Sequence, residues 1–283
     1  MFIPVFDGGR GRCETRANAS RRPARSAGFR MNALEIAGLL GGAFAAGAIN
    51  AVAGGGSLVS FPALLAAGYP AKPANVTNTV ALWPGYLGGS LAYRPELGRQ
   101  RRRIIRLLLP ALLGAIAGSA VLLLTPGSAF KAIVPFLILF AVLLMIVQDR
   151  LAEFAETHRL GSGGGDHIPA ALQAAIFALA VYGAYFGAGL SILTIAILGI
   201  LLPDDIQRSN ALKGMLSLVI NAAAVAVFIA FGPVRWGPAV LMAGGALAGG
   251  YLGAGLARRL GQRYLRWAVI VFGVGVAIVL FLR

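Results

Sequence analysis

NAVAGGGSLVSFPALLAAG, from Asn50 to Gly68, is the segment that best indicates the architecture of the chain. It is apolar and uncharged, yet it contains three successive glycines, Gly54, Gly55 and Gly56. Each glycine costs a helix about 1 kcal/mol relative to alanine, so the run predicts a break in a helix. We expect the helix to restart at Ser57.

Long uncharged runs continue on both sides of this stretch. A bilayer core about 30 Å thick requires roughly 20 helical residues, and a segment of about 35 residues suits one span followed by a half-length or broken helix. Runs free of Asp, Glu, Lys and Arg cover 36–71, 73–93, 107–130, 132–148, 168–203, 236–257 and 267–282, and 209–234 carries only Lys213. The pattern predicts an all-α polytopic membrane protein with about 8–10 hydrophobic segments, including broken or half-length helices.

Composition and charge exclude several other classes of protein. With 58% hydrophobic and only 12% charged residues, the chain is too apolar for a typical soluble domain. The formal charge of +15 sits in short clusters between apolar runs, a distribution that orients membrane helices and does not indicate a nucleic-acid partner. Cys13 is the single cysteine, so no thiol pair exists, and we expect neither a cofactor nor a metal.

The sequence also contains an internal repeat. The two halves align without a gap when the chain is shifted by 135 residues, the separation of Gly54 from Gly189. The same shift matches Asn75 with Asn210, Asn78 with Lys213, Gly114 with Gly249, Gly118 with Gly253 and Lys131 with Arg266. The halves are therefore expected to share one arrangement of helices.

The basic residues predict how the two halves are oriented. Residues 94–106 are rich in arginine, whereas the matching stretch around 231–241 has only Arg235. The next connection reverses this, because 258–266 is basic while 122–131 has one basic residue. Basic loops stay in the cytoplasm, so equivalent loops should lie on opposite sides of the membrane. This predicts two inverted-topology repeats, an architecture typical of transporters.

Four regions follow from these patterns. Residues 1–30 are polar and arginine-rich and are expected to be a disordered basic tail or an over-extended start, with Met31 as the true first residue. Residues 31–148 form the first membrane repeat, 149–167 a polar linker ending in glycine and serine, and 168–283 the second membrane repeat.

The breaks are where we expect substrate to bind. Unpaired backbone groups at membrane depth must face protein or a water-filled cavity, and a helix N-terminus favours an anion there. A lysine inside a span usually faces a cavity or a partner, although Lys213 lies close enough to the membrane edge to reach the interface. The second break, around YFGAGLS, is expected to be weaker. The candidate substrate-binding residues are Asn50, Gly54, Gly55, Gly56, Ser57, Asn75, Thr77, Asn78, Gly187, Gly189, Ser191, Asn210 and Lys213.

Over residues 31–283 the chain resembles the sulfite exporter TauE/SafE family. The resemblance is most specific at AGAINAVAGGGSLVSFPALLAAGYPAKPANVTNTVALWPGYLGGSLAYR, and RSNALKGMLSLVINAAAVAVFIAFGPVRW resembles the second-half block, with Lys213 where the family often has lysine. It implies a multi-pass permease of the bacterial cytoplasmic (inner) membrane that exports or imports sulfite, sulfoacetate or a related sulfur-containing organic anion. Leu190 and Ile197 stand where a glycine and a proline, matching Gly55 and Pro62, would be expected in the second half.

The alternatives to a permease are a passive anion channel and a membrane-embedded enzyme. A passive anion channel could share the same broken helices. A membrane-embedded serine hydrolase would need a base beside its serine, but His158 and His167 both lie in the linker, so we do not expect an enzyme. The expected partners are a small anionic solute and the lipid bilayer, and a homo-oligomer is left open.

Overall fold

A computed structural model describes residues 31–52, 54–92, 97–98, 100–158, 168–202, 204, 206–260 and 262–282. The predicted tail at 1–30 and linker residues 159–167 lie outside the described residues. Within the described ranges the chain forms ten α-helices and no strand. They are α1 (Ala33–Val52), α2 (Ser57–Ala66), α3 (Ala71–Ala92), α4 (Arg101–Leu124), α5 (Gly127–Thr157), α6 (Ala170–Tyr185), α7 (Leu190–Leu201), α8 (Ile206–Phe231), α9 (Trp236–Leu260) and α10 (Gln262–Phe281).

The length and composition of the helices suit a lipid bilayer. Four apolar segments of the described residues are long enough to cross a membrane, at Ala33–Asn50, Arg101–Leu124, Gly127–Thr157 and Gln207–Phe231. Four shorter apolar segments accompany them, at Ser57–Ala66, Ala170–Tyr185, Leu190–Leu201 and Arg266–Phe281. Large apolar side chains such as Leu109, Phe136 and Val271 lie exposed on the outside of the bundle, where lipid tails replace water as the solvent. The predicted all-α membrane fold is confirmed.

Helix α5 is longer than the sequence suggested. The uncharged run ends at Gln148, yet the helix continues to Thr157 and is 31 residues long. The added segment DRLAEFAET contains strong helix formers and neither glycine nor proline, so nothing in it stops the helix. The linker predicted at 149–167 therefore begins as helix, and α5 extends beyond the apolar span.

Both halves contain the predicted interruption. Between α1 and α2 the helix stops at Val52 and restarts at Ser57, as expected from the triple glycine. Between α6 and α7 it stops at Tyr185 and restarts at Leu190. The expectation of a weaker second break is wrong, because each break has two glycines with positive φ, a region that favours glycine.

The two halves exchange helix partners. Helix α1 of the first half packs along α9 of the second, and α4 of the first half packs along α6 of the second. Small residues allow the backbones to touch: a Cβ on Gly249 would lie 2.0 Å from the Phe44 carbonyl oxygen, and one on Gly118 would lie 2.2 Å from that of Val181. A Cβ on Gly114 would likewise lie 2.4 Å from the Phe177 carbonyl oxygen, and the side-chain surroundings of Gly253 lie outside the described residues.

Hydrogen bonds between helix ends show which ends are neighbours. Lys72, at the start of α3, donates to the carbonyl of Thr125 just after α4, at 2.9 Å. The N–H of Arg235, just before α9, donates to Thr77 Oγ1 near the start of α3, at 3.0 Å. At the other end of the bundle, Gln100 Nε2, just before α4, donates to the Arg208 carbonyl near the start of α8, at 3.0 Å. The equivalent helices α4 and α9 therefore begin at opposite ends of the bundle.

Candidate functional site

The first break is a sharp turn braced by an asparagine. Gly54 has φ 74° and Gly55 has φ 90°, both in the left-handed region. The N–H of Gly56 donates to Asn50 Oδ1 at 2.8 Å, which satisfies a backbone group that the break would otherwise leave unpaired. Asn50 and Gly56, two candidate binding residues, are thus engaged with each other. Ala53, which immediately precedes Gly54, lies outside the described residues.

The second break has the same character with different glycines. Gly187 has φ 79° and Gly189 has φ 81°, and the Tyr182 hydroxyl donates to the carbonyl of Ala188 between them. Helix α7 then begins at Leu190, so Ser191 lies in its first turn, where backbone N–H groups lack intrahelical acceptors.

The two breaks meet inside the protein. A Cβ built on Gly54 would lie 2.9 Å from Ser191 Cβ and 3.2 Å from Ser191 Oγ, so the first break touches the start of α7. One on Gly55 would lie 3.3 Å from Met145 Sδ, and one on Gly189 would lie 2.9 Å from Leu144 Cδ1. Both interruptions therefore pack against adjacent residues of α5, the long helix of the first half.

A cavity of about 190 Å³ opens beside this junction. It is far larger than the ~15 Å³ that a single water needs. Three candidate binding residues line it together: Ser191 from α7, and Asn210 and Lys213 from α8. The rest of the wall comes from the end of α5 and from α7, namely Gln148, Asp149, Leu151, Ala152, Ile192, Ile195 and Ala196.

The cavity wall is rich in hydrogen-bond donors. Lys213 Nζ donates to Asn210 Oδ1 at 3.1 Å, which uses one of its three N–H groups and turns the amide so that its NH₂ group remains available. The hydroxyl of Ser191 and the amide of Gln148 can donate as well. Lys213 is partly buried. The ammonium group and these neutral donors suit a small oxyanion, whereas the Asp149 carboxylate in the same wall opposes one.

The remaining candidates lie elsewhere in the bundle. Asn75, the equivalent of Asn210, donates its amide to the carbonyl of Tyr185 at the end of α6, at 2.9 Å. Asn78, the equivalent of Lys213, is 2% exposed, and its Oδ1 has no hydrogen-bond partner in the described residues. Thr77 accepts from the Arg235 backbone, which is a link between helices. Ser57 begins α2 and does not line the cavity.

Sequence reasoning missed the contribution of α5 to the cavity. Asp149 was placed in the linker, yet its carboxylate lines the cavity and forms a bidentate pair with Arg266 of α10, with both N···O distances 2.8 Å. The uninterrupted helix formers after Gln148 were the available signal, because they predict that α5 continues. Among the described residues, no group of three or more His, Cys, Asp or Glu side chains is arranged to hold a metal ion.

Paired broken helices around a polar cavity in an apolar bundle are typical of membrane transporters. The chain belongs to the sulfite exporter TauE/SafE family, whose profile matches residues 39–280. The family description and the names of similar proteins, which are probable membrane transporters, indicate a membrane transporter rather than an enzyme.

Similar proteins of bacteria support this assignment over most of the chain. A probable membrane transporter protein of Haemophilus influenzae is 29% identical over 232 residues, which cover 81% of this chain and 87% of that protein. The probable membrane transporter protein ORF9 of Sinorhizobium sp is 27% identical over 250 residues, 86% and 91% of the two chains. YfcA of Escherichia coli, a probable membrane transporter protein, is 23% identical over 235 residues, 81% and 83% of the two chains. No solved structure matches the fold significantly.

Proposed function

We propose that this transporter moves a small sulfur-containing oxyanion, either sulfite or an organosulfonate, across the cytoplasmic membrane of a bacterium. The observation that carries the proposal is the cavity in which Lys213, Asn210 and Ser191 converge at the junction of the two breaks. A sulfonate or sulfite group offers several acceptor oxygens and negative charge, which match the donors and the single ammonium group. The family to which the chain belongs is described as a sulfite exporter, and this supports the same choice.

We further propose that the two halves have inverted topology and that the cavity opens to the cytoplasm in this conformation. Helix contacts support this, because the equivalent helices α4 and α9 begin at opposite ends of the bundle. The end that holds the cavity also holds Arg101, Arg102, Arg103 and Arg106 at the start of α4. Basic residues are retained in the cytoplasm, so this end is the inner one.

The positions equivalent to Asn210 and Lys213 are Asn75 and Asn78, and both are buried near the opposite end of the bundle in this conformation. Asn75 is 1% exposed and Asn78 is 2% exposed, whereas Asn210 and Lys213 line the open cavity. Exchange of these two environments would carry the anion from one side to the other, which is the behaviour of an alternating-access carrier and not of a passive channel.

Transport into liposomes tests the proposal. The purified chain would be reconstituted and supplied with radiolabelled sulfite, sulfoacetate, sulfate or chloride, and Lys213→Gln would be compared with the wild type. Lys131→Gln is the matched control, because Lys131 is an exposed lysine outside the cavity. We expect Lys213→Gln to lose at least about tenfold in rate, since hydrogen bonds to charged groups contribute about 1.5–3 kcal/mol, and Lys131→Gln to behave as the wild type.

Two outcomes would contradict different parts of the proposal. If none of the anions crosses faster than through empty liposomes, the transport of small anions is wrong. If transport survives Lys213→Gln unchanged, the assignment of the cavity is wrong although the protein is a transporter of these anions. Stimulation of uptake by unlabelled anion inside the liposomes would distinguish a carrier from a channel.

A further inference from the structure

The cavity contains an internal competitor for its own substrate. Two of its lining residues carry opposite charges, Lys213 on α8 and Asp149 near the end of α5. Opposite charges that line one cavity attract each other, and Lys213 is partly buried, which reduces the screening of its charge by water. An unrestrained Asp149 carboxylate would therefore be drawn to the ammonium group that an anionic substrate needs.

The structure holds that carboxylate in another direction. Arg266 Nη1 and Nη2 each donate to one oxygen of Asp149 at 2.8 Å, a fork that fixes the orientation of the carboxylate. The Arg266 side chain is 17% exposed and that of Asp149 is 72% exposed, so the pair lies at the mouth of the cavity. Lys213 instead bonds to the neutral oxygen of Asn210.

We propose that Arg266 is a positioning residue that keeps Asp149 away from Lys213, so that the lysine remains available to the transported anion. The proposal rests on the function proposed above for Lys213. This positioning role differs from that of a simple clamp between α5 and α10, because it depends on the negative charge of Asp149. Removal of the arginine alone should harm the site, and removal of both charges should repair it.

The decisive measurement is the chemical reactivity of Lys213. The detergent-purified full chain and its variants would be labelled with methyl acetimidate, an amine-directed reagent, and the labelled fraction of Lys213 would be followed over time by mass spectrometry. Lys131, exposed and outside the cavity, is the internal reference for reagent activity. We expect Arg266→Gln to slow labelling of Lys213 at least fivefold, because Asp149 then pairs with it. The double variant Asp149→Asn/Arg266→Gln should recover at least half of the wild-type rate.

The same variants distinguish a clamp from a positioning residue. Asp149→Asn alone breaks the ion pair between α5 and α10 but leaves no carboxylate to compete, so Lys213 should be labelled at least as fast as in the wild type. If Arg266→Gln leaves labelling unchanged, or if the double variant is as slow as Arg266→Gln, the proposal is overturned. A loss of labelling in all three variants would indicate a purely structural clamp and would overturn it as well.

Anion uptake into liposomes provides the second readout. For the anion that the wild type transports, Arg266→Gln should raise KM at least fivefold with a smaller change in kcat, and the double variant should reverse that rise. If the wild type moves none of the anions while the labelling pattern holds, the proposed function fails and the positioning role of Arg266 stands. If transport occurs but the labelling pattern is absent, the proposed function stands and the positioning role of Arg266 fails.

Discussion

Substituting Gly54 with alanine tests the junction of the two breaks. The backbone at this position has φ 74°, and a left-handed conformation costs an alanine roughly 1–2 kcal/mol. The added methyl group would also lie 2.9 Å from Ser191 Cβ, and overpacking of this kind costs roughly 1–3 kcal/mol. Together the two effects predict a loss of about 2–5 kcal/mol in the free energy of unfolding.

Two matched glycines separate the two effects. Gly68 has φ 86°, but nothing lies within 4 Å of its added Cβ, so Gly68→Ala should show only the backbone cost of about 1–2 kcal/mol. Gly38 is inside α1 and has equally open surroundings, so Gly38→Ala should be neutral or stabilise the helix by up to about 1 kcal/mol. The expected order of stability is Gly38→Ala, wild type, Gly68→Ala, Gly54→Ala.

The assay is equilibrium unfolding in mixed detergent micelles, followed by the helical circular dichroism signal. A double-mutant cycle with Ser191→Gly isolates the contact, because Gly54→Ala should lose only about 1–2 kcal/mol when the serine side chain is absent. The reasoning is refuted if Gly54→Ala is as stable as Gly68→Ala, or if Ser191→Gly gives no relief. Either result would mean that the two breaks do not touch.

Three further predictions concern other parts of the bundle. Arg103, which is 6% exposed, pairs with Asp204, so Asp204→Asn should lower the free energy of unfolding by about 3 kcal/mol because it removes one partner of a buried ion pair. Gly249→Ala should destabilise the contact of α9 with α1 by more than about 2 kcal/mol, whereas Gly244→Ala, with open space around it, should not, and the same unfolding assay compares them. Asn78→Leu should change stability by less than about 1 kcal/mol, since the buried Oδ1 has no partner in the described residues, yet slow anion transport at least about fivefold; wild-type transport would exclude a role for Asn78.

Local sequence was sufficient to predict the position of the first break. Three glycines in an apolar run cannot continue a helix cheaply, and the helix restarts at Ser57 as expected. The second break was underestimated because only one of its glycines, Gly189, aligns with a glycine of the first, at Gly54. Its other left-handed residue, Gly187, does not align with a glycine of the first break. Whether a glycine adopts positive φ depends on the turn that tertiary packing selects.

The grouping of the candidate site was predicted in part. Ser191 belongs to α7 while Asn210 and Lys213 belong to α8, and the cavity brings them together. The sequence could not show that Asn50 and Thr77 are engaged in bracing hydrogen bonds, because such contacts depend on how chain segments approach one another. The inverted topology of the two halves, with equivalent loops on opposite sides of the membrane, and the boundaries of the repeats stay predictions.

The exchange of helix partners sets the order in which the chain can fold during synthesis. Helix α1 enters the membrane long before its partner α9 is made, and α4 must likewise wait for α6. Until then their glycine-lined faces contact lipid. A polypeptide truncated after α8 would leave α1 without its main neighbour, so membrane proteases should remove it. For the same reason, two separately synthesised halves should accumulate only when a cell produces both at once.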